Sequence, residues 1–205
     1  MRLVILALLL ICVSINTKAS ILIEPYLNYL TGSSKFEGSN SGILNGDYVY
    51  SETGTNYGIK LGGTFDPIFF GASYELGNLK RKIDKVPREG ITVNPSSNKI
   101  DTTLLGIIIG AKIPFLRFWG SYYIDSEWKY KDGSDPGAKD TVGGFGLGLG
   151  FTGLPFMSIN LEYRSLEVKE HKNTSGVVTK YPTSTVSGQK YSDFLIGVSI
   201  PLEFL

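Results

Sequence analysis

Bulky apolar residues alternate with small or polar residues in eight separate stretches of the chain, and the bulky positions carry no charge. In the first stretch they are Ile21, Ile23, Pro25, Leu27 and Tyr29. A repeat of two residues predicts β-strands with two unlike faces. Because one face is uncharged and the other holds glycines and ions, the fold depends on which face is turned outward.

The connections between the eight predicted strands alternate between short and long. Three are tight and contain proline, at 66–67, 114–115 and 152–155. Four are long and rich in Gly, Ser, Asn, Lys and Asp, at 32–54, 79–100, 127–141 and 168–190. This segregation of long loops to one end is typical of outer-membrane barrels, whose long loops face outside the cell. The strands themselves are predicted at 20–31, 55–65, 68–78, 101–113, 116–126, 142–151, 156–167 and 191–204.

The uncharged face is predicted to contact lipid, because a Lys or Arg at the bilayer midplane of a barrel costs about 2–4 kcal/mol. The other face suits a crowded interior, since eight strands leave only enough space for side chains. Its glycines weaken an ordinary strand. Opposite charges occur there in equal numbers, which permits a paired network that plugs the lumen. The residues of this predicted network are Glu24, Lys60, Glu75, Lys112, Arg117, Asp125, Glu162 and Arg164.

Aromatic residues on the uncharged face fall at the strand ends. Tyrosines lie next to the long loops and phenylalanines next to the tight turns, so two rings are predicted at opposite edges of the barrel. Aromatic girdles mark the two lipid–water boundaries of such proteins. Tyrosine, with a polar tip, suits the headgroup region.

Residues 1–19 have the composition of a secretory signal peptide. Arg2 precedes an apolar run from Leu3 to Ile15, and Thr17-Lys18-Ala19 supplies the cleavage region. The run is shorter than the roughly 20 residues of a membrane-spanning helix. We therefore expect a cleaved signal at 1–19 and a single barrel domain at 20–205. Loss of Arg2 and Lys18 changes the formal net charge from +1 to −1, which gives no indication of nucleic-acid binding.

The opening Ile23-Glu24-Pro25-Tyr26-Leu27-Asn28-Tyr29, the eight alternating strands and the closing strand with Phe204 resemble the small outer-membrane β-barrels of the OmpA-transmembrane-domain and OmpX type. The resemblance implies an all-β fold, an eight-stranded antiparallel up-and-down transmembrane barrel in the outer membrane of a Gram-negative bacterium. It also implies outer-membrane lipid and the barrel assembly machinery as partners.

The second long loop is rich in cations, and cations beside an anionic membrane surface contribute about 1 kcal/mol each. It is therefore a candidate contact for lipopolysaccharide phosphates, and an equally good explanation is a solubilising loop. The candidate residues are Lys80, Arg81, Lys82, Lys85 and Arg88.

The function predicted is a structural or surface-recognition role exercised through the extracellular loops, without catalysis. A narrow channel for small solutes, a secreted lipocalin-like binding barrel and a membrane acyltransferase are alternatives. The enzymatic alternative depends on His171, the single histidine, with Ser165, Glu167 or Asp193 as potential partners. We expect no metal site and no cofactor, because one histidine and no mature cysteine leave only carboxylates.

Overall fold

The computed structural model describes residues 19–38, 46–85, 97–133, 135–183 and 188–204. Of the predicted signal peptide, residues 1–18 lie outside this part. Every regular element within it is a β-strand, and no helix there is long and apolar enough to cross a membrane. The strands are β1 (Ala19–Gly38), β2 (Gly46–Phe65), β3 (Ile68–Lys85), β4 (Ser97–Ile113), β5 (Leu116–Tyr130), β6 (Lys139–Leu154), β7 (Met157–Lys172), β8 (Val178–Lys180), β9 (Lys190–Ser199) and β10 (Leu202–Phe204).

The strands form a closed antiparallel ring. Neighbours in sequence pair from β1 to β7, and β9 pairs with both β7 and β1, which closes the barrel. β9 and β10 together make the eighth barrel strand, interrupted at Ile200-Pro201 because proline cannot donate to the ladder. The short β8 adds a hairpin to the loop end of β7. The predicted eight-stranded up-and-down barrel is confirmed.

The bulky face points outward, as predicted. Leu147, Ile107 and Val198 are 61%, 56% and 41% exposed, whereas Lys60 and Glu75 are 6% and 1% exposed. A water-soluble barrel buries its apolar side chains, so this inversion excludes the lipocalin-like alternative. Exposed apolar surface of this extent is stable only in contact with lipid.

The tight turns each contain two residues between strands, at 66–67, 114–115 and 155–156. In the last two a proline is followed by a phenylalanine with positive φ, 66° at Phe115 and 61° at Phe156. Proline followed by a residue with positive φ is the pattern of a type II turn. The third turn is shorter than predicted because β6 continues to Leu154.

The strands extend much further at the loop end than predicted. β1 continues to Gly38 rather than residue 31, and β3 continues to Lys85 rather than residue 78. The apolar alternation ends where the wall leaves the lipid, because both faces can then be polar, but strand pairing continues. About half of the residues in the four predicted loops therefore lie in the barrel wall, and this wall encloses space beyond the membrane.

Two aromatic rims bound the lipid-facing band. The loop-side rim contains Tyr29, Tyr57, Tyr74, Tyr122 and Tyr163. The turn-side rim contains Phe65, Phe70, Phe118, Phe151 and Phe204, all at least two-fifths exposed. On each strand, we take the membrane-spanning segment as the part between these rims, and the remainder lies above it at the loop end.

Candidate functional site

The lumen is filled by stacked layers of side chains, and toward the turns an ionic layer lies beside a small apolar cluster of Leu22, Phe69, Ile108 and Trp119. The Arg117 guanidinium forms a bidentate pair with Glu24, and its Nη2 also donates to Asn160 Oδ1 and Ser199 Oγ, both at 3.0 Å. Lys60 Nζ lies 3.5 Å from Glu24 Oε1. With two cations around one carboxylate, this layer carries net positive charge.

A second ionic layer lies above the first. Arg164 donates from its two Nη atoms to Glu75 at 2.6 and 2.7 Å, and from Nε to Glu162 at 2.8 Å. Tyr123 OH donates to Glu162 at 2.5 Å, and Asn56 Nδ2 donates to Glu75 at 2.9 Å. Two carboxylates around one guanidinium balance the charge of the lower layer, so the two layers together are neutral.

An apolar layer separates these ions from the loop end. Along β3 the inward side chains run from Glu75 through Leu79 to Arg81, which places Leu79 between two charged levels. Trp128 and Tyr191 meet edge to face in the same layer, with ring centroids 4.3 Å apart. The buried members of this layer are Leu30, Leu79, Ile100, Leu104, Tyr123, Trp128, Val142, Leu166, Val168, Tyr191 and Leu195.

Arg81 lies above the apolar layer and organises a chain of polar contacts. Its Nε donates to Glu52 Oε1 at 2.8 Å, its Nη1 to Tyr130 OH at 2.9 Å and its Nη2 to Tyr191 OH at 2.6 Å. Tyr130 OH in turn donates to Asp140 Oδ2 at 2.7 Å. His171 Nδ1 lies 2.6 Å from the other oxygen of Asp140. The contacts therefore run from the interior to a half-buried histidine.

This chain of contacts lines a cavity of about 450 Å³ at the loop end of the barrel. The size is within the usual range for small-ligand sites. Tyrosine rings, carboxylates, amides and the histidine all face the same space. The residues that line it include Tyr50, Asn98, Asp132, Asp135, Tyr181 and Gln189, together with Arg81, Tyr130, Asp140 and His171.

Electrostatics in the cavity follow from these contacts. The hydrogen bond to Asp140 raises the pKa of His171 above its usual 6.5, against the opposing effect of burial, and the charges of Asp140 and Asp135 raise it further. Burial raises the pKa of Tyr130, so its hydroxyl stays protonated at neutral pH. The cavity thus presents a hydrogen-bonded tyrosine and a histidine whose protonated form is favoured by two carboxylates.

Six of the eight predicted lumen residues meet in the two ionic layers, namely Glu24, Lys60, Glu75, Arg117, Glu162 and Arg164. Lys112 lies apart from them. It pairs with Glu203 at the turn end, where both side chains are partly exposed. The side chain of Asp125 lies outside the described residues, next to a register shift between Tyr123 and Ser126.

The candidate lipopolysaccharide residues are divided by the alternation of β3. Lys80 and Lys82 are exposed on the outer surface of the wall above the loop-side rim. Arg81, between them, points inward and is 5% exposed, so it is not available to an external lipid. The sequence interpretation placed Arg81 in a loop because the apolar alternation stops before it. The side chain of Lys85 and the whole of Arg88 lie outside the described residues.

Sequence reasoning also missed the partner of His171. Asp140 faces His171 because the two are cross-strand partners of β6 and β7. Asp193, a proposed partner, is instead buried in the lumen. Ser165 lies on the outer side of β7, closer to the membrane than His171. Glu52, Asp140 and Asp193 were not recognised as lumen residues. For Glu52 a signal was available, because the alternation of inward and outward residues on β2 continues past the rim from Asn56 to Glu52.

No group of three or more His, Cys, Asp or Glu side chains in the described part of the chain has the arrangement of a metal site. The geometry instead offers hydrogen-bonding and aromatic groups around an open cavity.

Comparison with known proteins agrees with this architecture. A family model described as "Outer membrane protein beta-barrel domain" matches residues 5–200. The comparison with curated proteins gives no match.

Among solved structures, the chain is similar to Ail, the attachment invasion locus protein of Yersinia pestis, in complex with the heparin analogue sucrose octasulfate. The identity is 13% and the TM-score 0.52, over 89% of this chain and 99% of Ail. Neisserial surface protein A matches with 15% identity and a TM-score of 0.48, over 89% of this chain and 98% of that one. OprG of Pseudomonas aeruginosa matches with 10% identity and a TM-score of 0.42, over 91% and 97%.

Proposed function

The chain belongs to the outer membrane protein β-barrel domain family, and from that premise we propose that it is a plugged barrel whose loop-end cavity recognises a ligand at the cell surface. Its place in the outer membrane follows from the family and from the lipid-facing band. The role proposed is binding, because the described contacts of His171 run to Asp140 and serve to hold the ring.

The observation that carries the proposal is the contrast between the two ends of the lumen. Beneath Arg81 the interior is occupied by an apolar layer and two paired ionic layers. Above Arg81 the wall encloses a cavity of about 450 Å³ that is open to the loop end. A channel needs a continuous polar path along the whole lumen, whereas a binding site needs a cavity at only one end of the barrel.

Lipopolysaccharide is a second proposed partner, bound on the outer surface of the wall. Lys80 lies directly opposite Lys99 across β3 and β4, with Lys82 beside them. Like charges directly opposite destabilise a sheet, and phosphates between them relieve the repulsion. Ail was solved with a polysulfated ligand, which is a property of that protein and gives a precedent for polyanions on this fold.

Planar-bilayer recording tests the plug. We expect a flat current trace from the wild-type barrel, and an equally flat trace from Arg117→Ala and Glu162→Ala, which lower stability without opening a path. Steady ion-selective steps, altered in size by either substitution, support the narrow channel instead.

The second proposed partner is tested by measuring how much purified lipopolysaccharide the Lys80→Glu/Lys82→Glu variant retains. We expect weaker retention than in Lys172→Glu, which alters an exposed lysine at the far loop end.

A further inference from the structure

The loop-end cavity has an acidic side, which comes from one short segment of the chain. Asp132 and Asp135 lie in the connection between β5 and β6, and Asp140 lies near the start of β6. All three side chains line the cavity. The pairing of β6 with β7 fixes Asp140 opposite His171, and the connection that precedes it brings the other two carboxylates to the same space.

Two of these carboxylates have no cationic partner among the described residues. Asp140 contacts the cavity histidine. Asp132 accepts a hydrogen bond from the backbone N–H of Lys99, and Asp135 accepts one from the hydroxyl of Thr174. A backbone amide and a hydroxyl carry no charge, so they orient the two half-buried carboxylates without neutralising them.

The lining of the cavity is therefore negative. In the described part of the chain, Arg81 and His171 are the only positively charged residues that line it. Arg81 forms an ion pair with Glu52 at 2.8 Å, and His171 is paired with Asp140. Each pair is neutral when the histidine is protonated, and the two remaining carboxylates leave a charge of −2. A cleft with one sign of charge concentrates ligands of the opposite sign.

Tyrosine rings form another part of the lining. Tyr50 comes from β2, which is opposite β6 in the eight-membered ring. At the floor of the cavity, the Arg81 guanidinium carbon lies 5.6 Å from the centroid of the Tyr50 ring and 5.5 Å from that of Tyr130. Tyrosine faces attract cations and pack against apolar groups. The lining thus offers carboxylates to a positive group and rings to the apolar body that carries it.

We infer that the cavity binds a small organic cation, an amine or a guanidine on a short apolar body, whose positive group pairs with Asp132 and Asp135. Because this ligand class is assigned to the same cavity, it rests on the proposed function. Amines and guanidines donate N–H groups to carboxylates in charge-assisted hydrogen bonds. An anion is repelled by the same carboxylates, and a neutral alcohol lacks the attraction between opposite charges. The cavity therefore selects the charge opposite to that attracted by Lys80 and Lys82 on the outer wall.

The test is a titration with three probes that share a four-carbon chain and differ in charge, namely agmatine, 1,4-butanediol and succinate. The untagged barrel is kept in uncharged detergent micelles at about 0.15 M salt, which screens exposed charges. The His171 Cε1 proton resonance reports binding in the cavity, and calorimetry gives the dissociation constant. We expect agmatine to shift the resonance to saturation, and the other two probes to leave it unchanged at the same concentrations.

A double variant and a matched control locate the binding site. Asp132→Asn/Asp135→Asn removes both charges and keeps an acceptor for the two neutral donors, and it is expected to weaken agmatine binding at least about tenfold. Asp101→Asn/Glu127→Gln removes two exposed carboxylates from the outer surface of β4 and β5, and it is expected to change binding less than about twofold. Heat-modifiable electrophoretic mobility reports whether each variant is folded.

The cationic ligand class is refuted if agmatine does not bind, or if succinate or 1,4-butanediol binds as tightly as agmatine. It is also refuted if the folded Asp132→Asn/Asp135→Asn variant binds agmatine as tightly as the control variant does. Failure of the proposed function is read separately from the planar-bilayer recordings. With a flat current trace, a neutral or anionic probe that shifts the His171 resonance leaves a ligand-binding barrel and refutes only the ligand class.

Discussion

Arg164 and Glu75 lie 89 residues apart in sequence and form a buried bidentate pair across the lumen, with N–O distances of 2.6 and 2.7 Å. They join β7 to β3, which are opposite each other in the eight-membered ring. The Arg117–Glu24 pair joins β5 to β1 in the same way, along a different diameter. The two pairs therefore fix the cross-section of the barrel in two directions.

Removing one member of such a pair leaves an unpaired charge in the lumen. We expect Arg164→Ala to lower the free energy of unfolding by about 3–5 kcal/mol, because Glu75 and Glu162 lose their shared cation. The double replacement Glu75→Leu/Arg164→Met is expected to recover part of this loss, since it removes charges of both signs. Urea unfolding in lipid vesicles measures both. A loss below about 1 kcal/mol for Arg164→Ala contradicts a structural role for the pair.

Asp193 is the opposite case, a lumen carboxylate with no hydrogen-bond partner for either oxygen among the described residues. It is 1% exposed, and its cross-strand neighbour Arg164 donates to Glu75 and Glu162 instead. We expect Asp193→Asn to raise the free energy of unfolding by about 1–3 kcal/mol, because the amide keeps the shape and removes the cost of burying an acid without a hydrogen-bond partner. The same urea unfolding measures it. Asp101→Asn on the exposed surface is the control, and a loss of stability in Asp193→Asn refutes the argument.

Alternate glycines of β6 face the lumen, where neighbouring atoms leave little room for a side chain, namely Gly144, Gly146, Gly148 and Gly150. A Cβ at Gly148 lies 2.0 Å from Trp119 Cε2, and the Trp119 ring is held against Lys60 Nζ at 4.2 Å. Gly148→Ala is therefore expected to destabilise the barrel by about 1–3 kcal/mol through overpacking. Gly120 on β5 meets nothing within 4 Å, so Gly120→Ala is expected to change stability by less than about 0.5 kcal/mol. Equal effects in vesicle unfolding contradict this packing argument.

Glu24, Lys60, Glu75 and Arg164 show how far the sequence predicts the interior. Each occupies an inward position of a strand whose other face is apolar, so its direction follows from the period of two. Its partner does not follow, because contacts across a barrel diameter depend on strand tilt and shear. Sequence position alone does not reveal that Glu24 meets Arg117 and Glu75 meets Arg164.

Arg81 and Asp140 mark where sequence reasoning stops. Both lie above the loop-side rim, where outward residues no longer need to be apolar and the alternation that identifies a strand disappears. The wall nevertheless continues, held by backbone pairing and by lumen contacts such as Arg81 with Glu52. The cavity is built from this part of the chain, so the candidate site was the least predictable part of the fold.

The single histidine makes the cavity accessible to a direct titration. In an untagged barrel in micelles, the one His171 Cε1 proton resonance is expected to titrate with a pKa above 6.5, because protonation strengthens its contact with Asp140. Asp140→Asn is expected to return the pKa toward 6.5, and Asp135→Asn to lower it less, since Asp135 acts through charge alone. A pKa at or below 6.5 in the wild-type protein contradicts the described contact.

The raised pKa of His171 also determines how the stability of this region changes with pH. A raised folded-state pKa means that the stabilisation is fully present below about pH 6.5 and is lost as pH rises through the folded value. Amide protons of the β7–β8 hairpin should therefore exchange more slowly at pH 6 than at pH 9 after correction for intrinsic rates. His171→Gln is expected to abolish this difference. Protection that increases with pH in the wild-type hairpin reverses the predicted sign and removes the His171–Asp140 contact as its cause.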